Sequence, residues 1–342
     1  MFAHLSVGSP NFEERVLRRD GAWTVLHRHA APPAEPARWR ESPRGPRRPA
    51  AAGAPDGALT RRSFAFERLP DGGDPVRARL PLLVGASVTV SAVRADSAAD
   101  AVTFTDFDGD QVVSVVDGGA TLDTPCGTLR ANPAEHLWIP RGMPHRWRVD
   151  KLGLRAVVWE FVGELSLPRG AVNACGQLGP DAPFGHRDLH RPNWFARPHI
   201  AAEGVACVAR RDGACWEMVS AVDPLATTGW DGAVYPVSVA WEVPLARAKE
   251  AILFECERSS LRTRISAAPE RMAAPPGDRV TLALDAEGAA SVVWEPAGVA
   301  LVPAGAPGGI VVQWAGTEAL ALTANGAALC LGESPGFTPS AE

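Results

Sequence analysis

Apolar and polar residues alternate along most of this chain in short runs, and glycine and proline punctuate them. LPLLVGASVTVSAVRA, AVTFTDF, DQVVSVVDGGATLDT, GTLRANPAEHLWIPRG, HRWRVD and LRAVVWEF follow one another between residues 80 and 161. A second series runs through YPVSVAWEV, AILFECE, RVTLALDA, ASVVWE, GVALVPAG, GIVVQWA and EALALTA, from 235 to 324. Valine-rich runs of roughly five to eight residues with turns at regular intervals predict antiparallel strands closing into a barrel or sandwich. Convincing amphipathic helices are few, so the expected class is all-β, with two similar modules.

Between the series lies LSLPRGAVNACGQLGPDAPFGHRDLHRPNWFARPHI, residues 165–200, dense in glycine and proline and expected to have little regular structure. Residues 31–57 are rich in proline, alanine and arginine without apolar periodicity, which predicts an irregular surface segment. The expected organisation is therefore an N-terminal extension, 1–84, packed on the barrels and containing that loop. A first barrel over 85–165, a Gly/Pro-rich linker over 166–226 and a second, degenerate barrel over 227–342 complete it.

The stretch PRGMPHRW at 140–147 has the spacing P-x-G-x-x-H directly after the apolar run Leu137, Trp138, Ile139. Pro140 is expected to end one strand, Gly142 to allow the tight turn, and His145 to open the next strand pointing inward. Period two then puts Trp147 and Val149 on the same inward face. From Gly127 to His145 the pattern resembles the second motif of the cupin barrel. The second module repeats it as Pro303 and Gly305, with Gly308 where the histidine belongs. The chain thus resembles a bicupin, two double-stranded β-helix barrels joined by an irregular linker.

Charge and composition narrow the partners. Of 342 residues 46% are hydrophobic and 21% charged, with a formal net charge of −5, which argues against a nucleic-acid or anionic-membrane surface and for a small-molecule ligand. No apolar run is long enough for a membrane span, and the charged N-terminus does not read as a signal peptide, so a cytoplasmic location is expected. The six cysteines are scattered without C-x-x-C, and read as small buried apolar groups.

A cupin metal site ordinarily joins the last histidine to an H-x-H pair and a carboxylate. Here Asp110 stands at the carboxylate position, while Thr103 and Thr105 stand where H-x-H belongs, and threonine is a poor ligand. Asp110, His136 and His145 are weak metal candidates in the first barrel. The second barrel has no histidine at all, because none follows His199.

A more specific resemblance rests on WTVLHRHAAPP at 23–33, FTDFDGDQVVSVVDGGATLDT, IPRGMPHRW, GQLGPDAPFGHRDLHRP and TTGWDGAVYPVSV at 227–239. Several separated motifs in order over roughly the first 240 residues are similar to the homogentisate 1,2-dioxygenase family and its bacterial relatives. That resemblance implies a bicupin that forms homo-oligomers and an Fe(II)-dependent cleavage of a dihydroxyphenyl acid. It also implies that iron is held in the second barrel by two histidines and a glutamate. The corresponding positions here are Met272, Arg279 and Val302, which cannot hold ferrous iron. No cofactor is expected from the residues themselves; Fe(II) is the one implied if the family chemistry persists.

Three functions fit these residues. One is a homogentisate dioxygenase-like cupin protein acting on a small aromatic or acidic metabolite, with the family iron site lost. Another is a metal-independent isomerase, cyclase or hydrolase of secondary metabolism, using His145 as general base with Arg141 or Glu160 nearby. The third is a non-catalytic ligand-binding bicupin, in which His145 is a hydrogen-bonded histidine kept by fold ancestry. His27 and His29 alternate along a strand and are expected to face opposite sides. His186, Asp188 and His190 are expected to bond across a domain or subunit junction, and Tyr235 and most tryptophans to fill the core.

Overall fold

The computed structural model describes residues 4–9, 13–19, 22–28, 39–42, 46–49, 62–70, 72–96, 101–173, 177–196, 200, 204–257, 259–265, 277–284, 290–296, 310–316, 320–323 and 330–333. Among them regular structure is strand throughout, apart from three short 3-10 turns. Among the described residues no helix is long and apolar enough to cross a membrane. Valine-rich alternation wins because β-branched side chains fit a pleated, half-buried surface and crowd a helix.

The largest sheet has Gln111–Thr124 and Arg146–Phe161 at its centre, flanked by Glu135–Ile139 and Val237–Ala240 on one side. Val88–Ala95, Arg79–Val84 and Ala321–Leu322 continue it on the other. A four-stranded sheet of Arg40–Glu41, Ala214–Ser220, Val205–Arg211 and Thr103–Asp106 closes over it. Phe104 and His145 join the two by a reciprocal backbone pair, 2.8 and 2.9 Å. The second module is a seven-stranded sheet: Glu250–Cys256, Ser259–Ile265, Ile310–Gly316, Arg279–Leu284, Ala290–Glu295, Arg62–Ala65 and Cys330–Glu333. A further four-stranded sheet joins Leu5–Gly8, Gly229–Gly232, Ala22–Arg28 and Glu13–Arg19. This is the all-β bicupin layout, and one buried core runs through both modules, with Trp138 and Phe254 meeting at 5.9 Å between ring centres.

The modules exchange strands. Arg62–Ala65, from the N-terminal extension, extends the second sheet, while Ala321–Leu322 borders the first. The segment expected as linker is not irregular throughout: Val205–Arg211 and Ala214–Ser220 form a hairpin, and the first of them runs parallel to Thr103–Asp106. Its alternation was masked by glycine and proline upstream, and its partner strand is about a hundred residues away, beyond any local signal.

The P-x-G-x-x-H turn is built as its residues dictate. The strand Glu135–Ile139 stops before Pro140, Gly142 takes φ +78°, and the Met143 amide bonds the Pro140 carbonyl at 3.1 Å. The next strand starts directly after His145. Pro303, Gly305, Gly308, Met272, Val302 and His29 lie outside the described residues.

Candidate functional site

His145 is fully buried, between the first module's two sheets. Its Nδ1 lies 3.1 Å from the Met143 carbonyl oxygen. A carbonyl only accepts, so Nδ1 carries the proton and Nε2 of the neutral ring carries a lone pair. That Nε2 has no partner among the described residues. Burial pulls the imidazole down to about 4, the Met143 bond and Asp106 opposing and Arg79 reinforcing it, so the ring is neutral at pH 7. Two aromatic rings stand edge-on to it: Phe104 at 5.6 Å and Trp147 at 6.3 Å between centres. Trp147 is buried as period two requires, and its Nε1 donor is likewise unpartnered among the described residues.

Beside this aromatic box lies a closed set of charges. The Arg79 guanidinium sits 5.1 Å over the Phe104 ring and donates to Glu160 Oε1 at 2.9 Å. Arg210, from the 205–220 hairpin, donates to the same oxygen at 2.6 Å and forms a two-point pair with Asp106. Ser91 and Gln111 complete the set, donating to Glu160 Oε2 and Asp106 Oδ2 at 2.8 Å each. Glu160 is only 3% exposed. Burial alone would raise its carboxyl, but Arg210, Arg79 and Ser91 outweigh it and hold it below the ordinary carboxylate range. Glu160 is therefore a counter-ion locked between two guanidiniums, and carries no proton to give.

The other candidates are placed apart. Arg141 is exposed and pairs with Glu164 at 2.8 Å. Asp110 is buried, and its carboxylate accepts from Trp138 Nε1 at 3.0 Å and from the amides of Arg141 and Leu165 at 2.8 Å each. It anchors the turn that presents His145. His136 bonds Ser114 through Nδ1 at 2.9 Å and stacks on Trp241 at 5.5 Å, and burial pulls it down to about 3. Where the H-x-H pair would begin, Thr103 accepts from Arg146, which also clamps Asp223.

These donors do not fit Fe(II). Asp110 already spends its oxygens on three N–H groups, and no set of three His, Cys, Asp or Glu among the described residues is placed to hold a metal. Of Met272, Arg279 and Val302, the residues expected at iron-ligand positions in the second module, only Arg279 is among the described residues, and it carries a cation.

Remaining expectations fall on the core and the junction. Tyr235 is fully buried. His190 pairs by backbone with Ser238 and lies 3.3 Å from Glu135 through Nδ1, while Asp188 accepts from the Gly185 amide. Cys126, Cys207 and Cys215 are buried and free, and burial first of all pushes their thiols up to about 12, 11 and 12. Arg79, Asp106 and Arg210 were not singled out from sequence. They come from three separate strands, and an isolated arginine or aspartate in a strand ordinarily faces solvent.

Residues 81–240, which contain these groups apart from Arg79 and Arg279, match the family model for the homogentisate 1,2-dioxygenase N-terminal region. The matched segment ends at the last residue of the strand Val237–Ala240, so the strands of the seven-stranded sheet lie outside it. Among solved structures, the chain is similar to a cupin 2 conserved barrel domain protein from Leptotrichia buccalis, at 9% identity over 74% of this chain and 95% of that one, TM-score 0.39. It is also similar to a salicylate 1,2-dioxygenase from Pseudaminobacter salicylatoxidans, at 10% identity over 79% and 90%, TM-score 0.40. At these values the likenesses carry nothing about the chemistry of this chain.

Proposed function

We propose that the first barrel of this homogentisate dioxygenase-like cupin binds a small neutral phenol, without iron chemistry at that site. The observation that carries this reading is the pair of unpartnered buried atoms, His145 Nε2 and Trp147 Nε1. One accepts only and the other donates only. A hydroxyl does both, and is the smallest group that satisfies the two together. The aromatic edges of Phe104 and Trp147 suit a ring beside that hydroxyl. A carboxylate suits the place poorly. Arg79 and Arg210 are already neutralised by Glu160 and Asp106, and an imidazole lone pair repels an anion.

A second reading, proton transfer from the phenol to His145, rests on the same lone pair. An imidazole at about 4 is fully available at pH 7 yet a weak base. Binding therefore leads and catalysis follows it.

Calorimetric titration with phenol and with anisole, its methyl ether, tests the proposal. Phenol should bind at least tenfold more tightly than anisole, and His145→Phe should abolish the difference. Equal affinities for phenol and anisole, or no heat with either, would remove the reading without needing the variant to fold.

A further inference from the structure

The seven-stranded sheet has two unlike faces. Its register places Leu261, Trp314, Val280 and Trp294 on one side, and these belong to the common core. On the other side, Arg262 lies opposite Gln313, which lies opposite Thr281; Arg264 lies opposite Val311; and Arg279 lies between Ala315 and Glu295. The apolar members of this second face, Val293 and Val311, form a small cluster separate from the core. Yet the face is buried: Arg264 is only 7% exposed, and Thr281, Gln313 and Glu295 are buried with it.

Buried polar faces are costly unless their charges are matched. Here they are not. Arg262 pairs with Glu250 at 2.6 Å, whereas Arg264 and Arg279 have no carboxylate oxygen within 4.0 Å among the described residues. The Nε atoms of all three arginines lack hydrogen-bond partners among the described residues. The strands bearing Arg262 and Arg279 are separated only by the one bearing Gln313 and Ala315, and the two residues are offset by two positions along it, so their origins are about 12 Å apart. Two such long side chains reach across that span. Consistent with this, burial first and the nearby Arg264 and Arg262 next pull the Arg279 guanidinium below its ordinary range, against Glu295 and Glu250. Among the described residues, three cations thus have two carboxylates near them, Glu295 buried and Glu250 exposed.

We infer that this face is an anion site, in which Arg262, Arg264 and Arg279 over Gln313 and Thr281 hold a small oxyanion, a carboxylate or a phosphate. Guanidinium forks suit either, because both present paired oxygens at matching spacing. The site lies outside the family-matched segment and does not depend on the phenol reading of the first barrel.

The test is calorimetric titration of the full chain with inorganic phosphate and, separately, with malonate, at constant ionic strength set by chloride. At least one should bind in the millimolar range or tighter, and the better of the two names the ligand class. Arg264→Met and Arg279→Met should each weaken it at least tenfold, since a charge-assisted bond is worth about 1.5–3 kcal/mol. Arg155→Met, which removes an exposed arginine paired with Asp117, should leave the affinity unchanged. Should Arg264→Met fail to fold, Arg279→Met, at a less buried position, carries the comparison. No heat with either anion, or equal loss in Arg155→Met, would overturn the inference.

Discussion

The two barrels treat buried charge in opposite ways. In the first, Arg79 and Arg210 meet Asp106 and Glu160 one for one, and the imidazole beside them, His145, is held neutral. In the second, Arg264 and Arg279 share a buried face with too little negative charge among the described residues. The same strand architecture therefore presents a neutral hydroxyl-seeking interior in one half and a cationic one in the other. The side chains that line each barrel, more than the strands that carry them, decide which ligand chemistry it can take.

The largest effect should come from unbalancing the first barrel. Glu160→Gln leaves Arg79 and Arg210 with a single buried counter-ion, and breaking a buried pair costs about 3–5 kcal/mol. Urea denaturation at pH 7 should show a loss of that size. If the charge balance matters as argued, millimolar phosphate should recover part of it, making the first barrel behave like the second. A loss below about 1 kcal/mol would mean that the four charges are not closely coupled. The pH sense is fixed by the depressed Glu160 carboxyl. Its contribution is complete above the ordinary carboxylate range and disappears as pH falls through its lowered value in the fold.

Next in size is the pH dependence of the neutral histidines. His145 and His136 titrate near 6.5 when unfolded and near 4 and 3 when folded. Between those limits the unfolded chain binds more protons, so stability is full above pH 6.5 and falls as pH drops towards 4. Each ring accounts for about 3 kcal/mol or somewhat more over its window. Denaturation midpoints measured from pH 7.5 to 4.5 should trace this slope, and His145→Phe should flatten it by about half. A wild-type curve flat over that range would refute the neutral, desolvated assignment on which the phenol site rests.

How much of this was readable beforehand divides along the range of the forces involved. The turn from Pro140 to His145 was legible because proline and glycine constrain their own backbone, and Gly142 indeed takes the positive φ. Asp110 was legible as a position but not as a role, since its partners, Trp138, Arg141 and Leu165, come from two separate segments. The Arg79–Glu160–Arg210–Asp106 set was not legible, because it forms only when the 205–220 hairpin lies over the large sheet. In LRTRI and RVTLAL the alternation of arginine or threonine with apolar residues is plain, and ordinarily marks a solvent face. What the alternation could not reveal is that this face is buried.

The smallest effect belongs to Arg141, and it is the most discriminating between turn and site. Its guanidinium is exposed and pairs with Glu164, a contact worth about 0.2–1 kcal/mol in salt. What holds the turn is its backbone amide on Asp110, and that survives any side chain except proline. Arg141→Ala should therefore change the urea midpoint by less than about 1 kcal/mol and leave phenol binding within twofold. Asp110→Asn should lose binding along with stability, because it weakens the anchor beneath His145. A tenfold loss of phenol binding in Arg141→Ala would place that guanidinium in the site after all, and would bring a cation into an interior argued to be neutral.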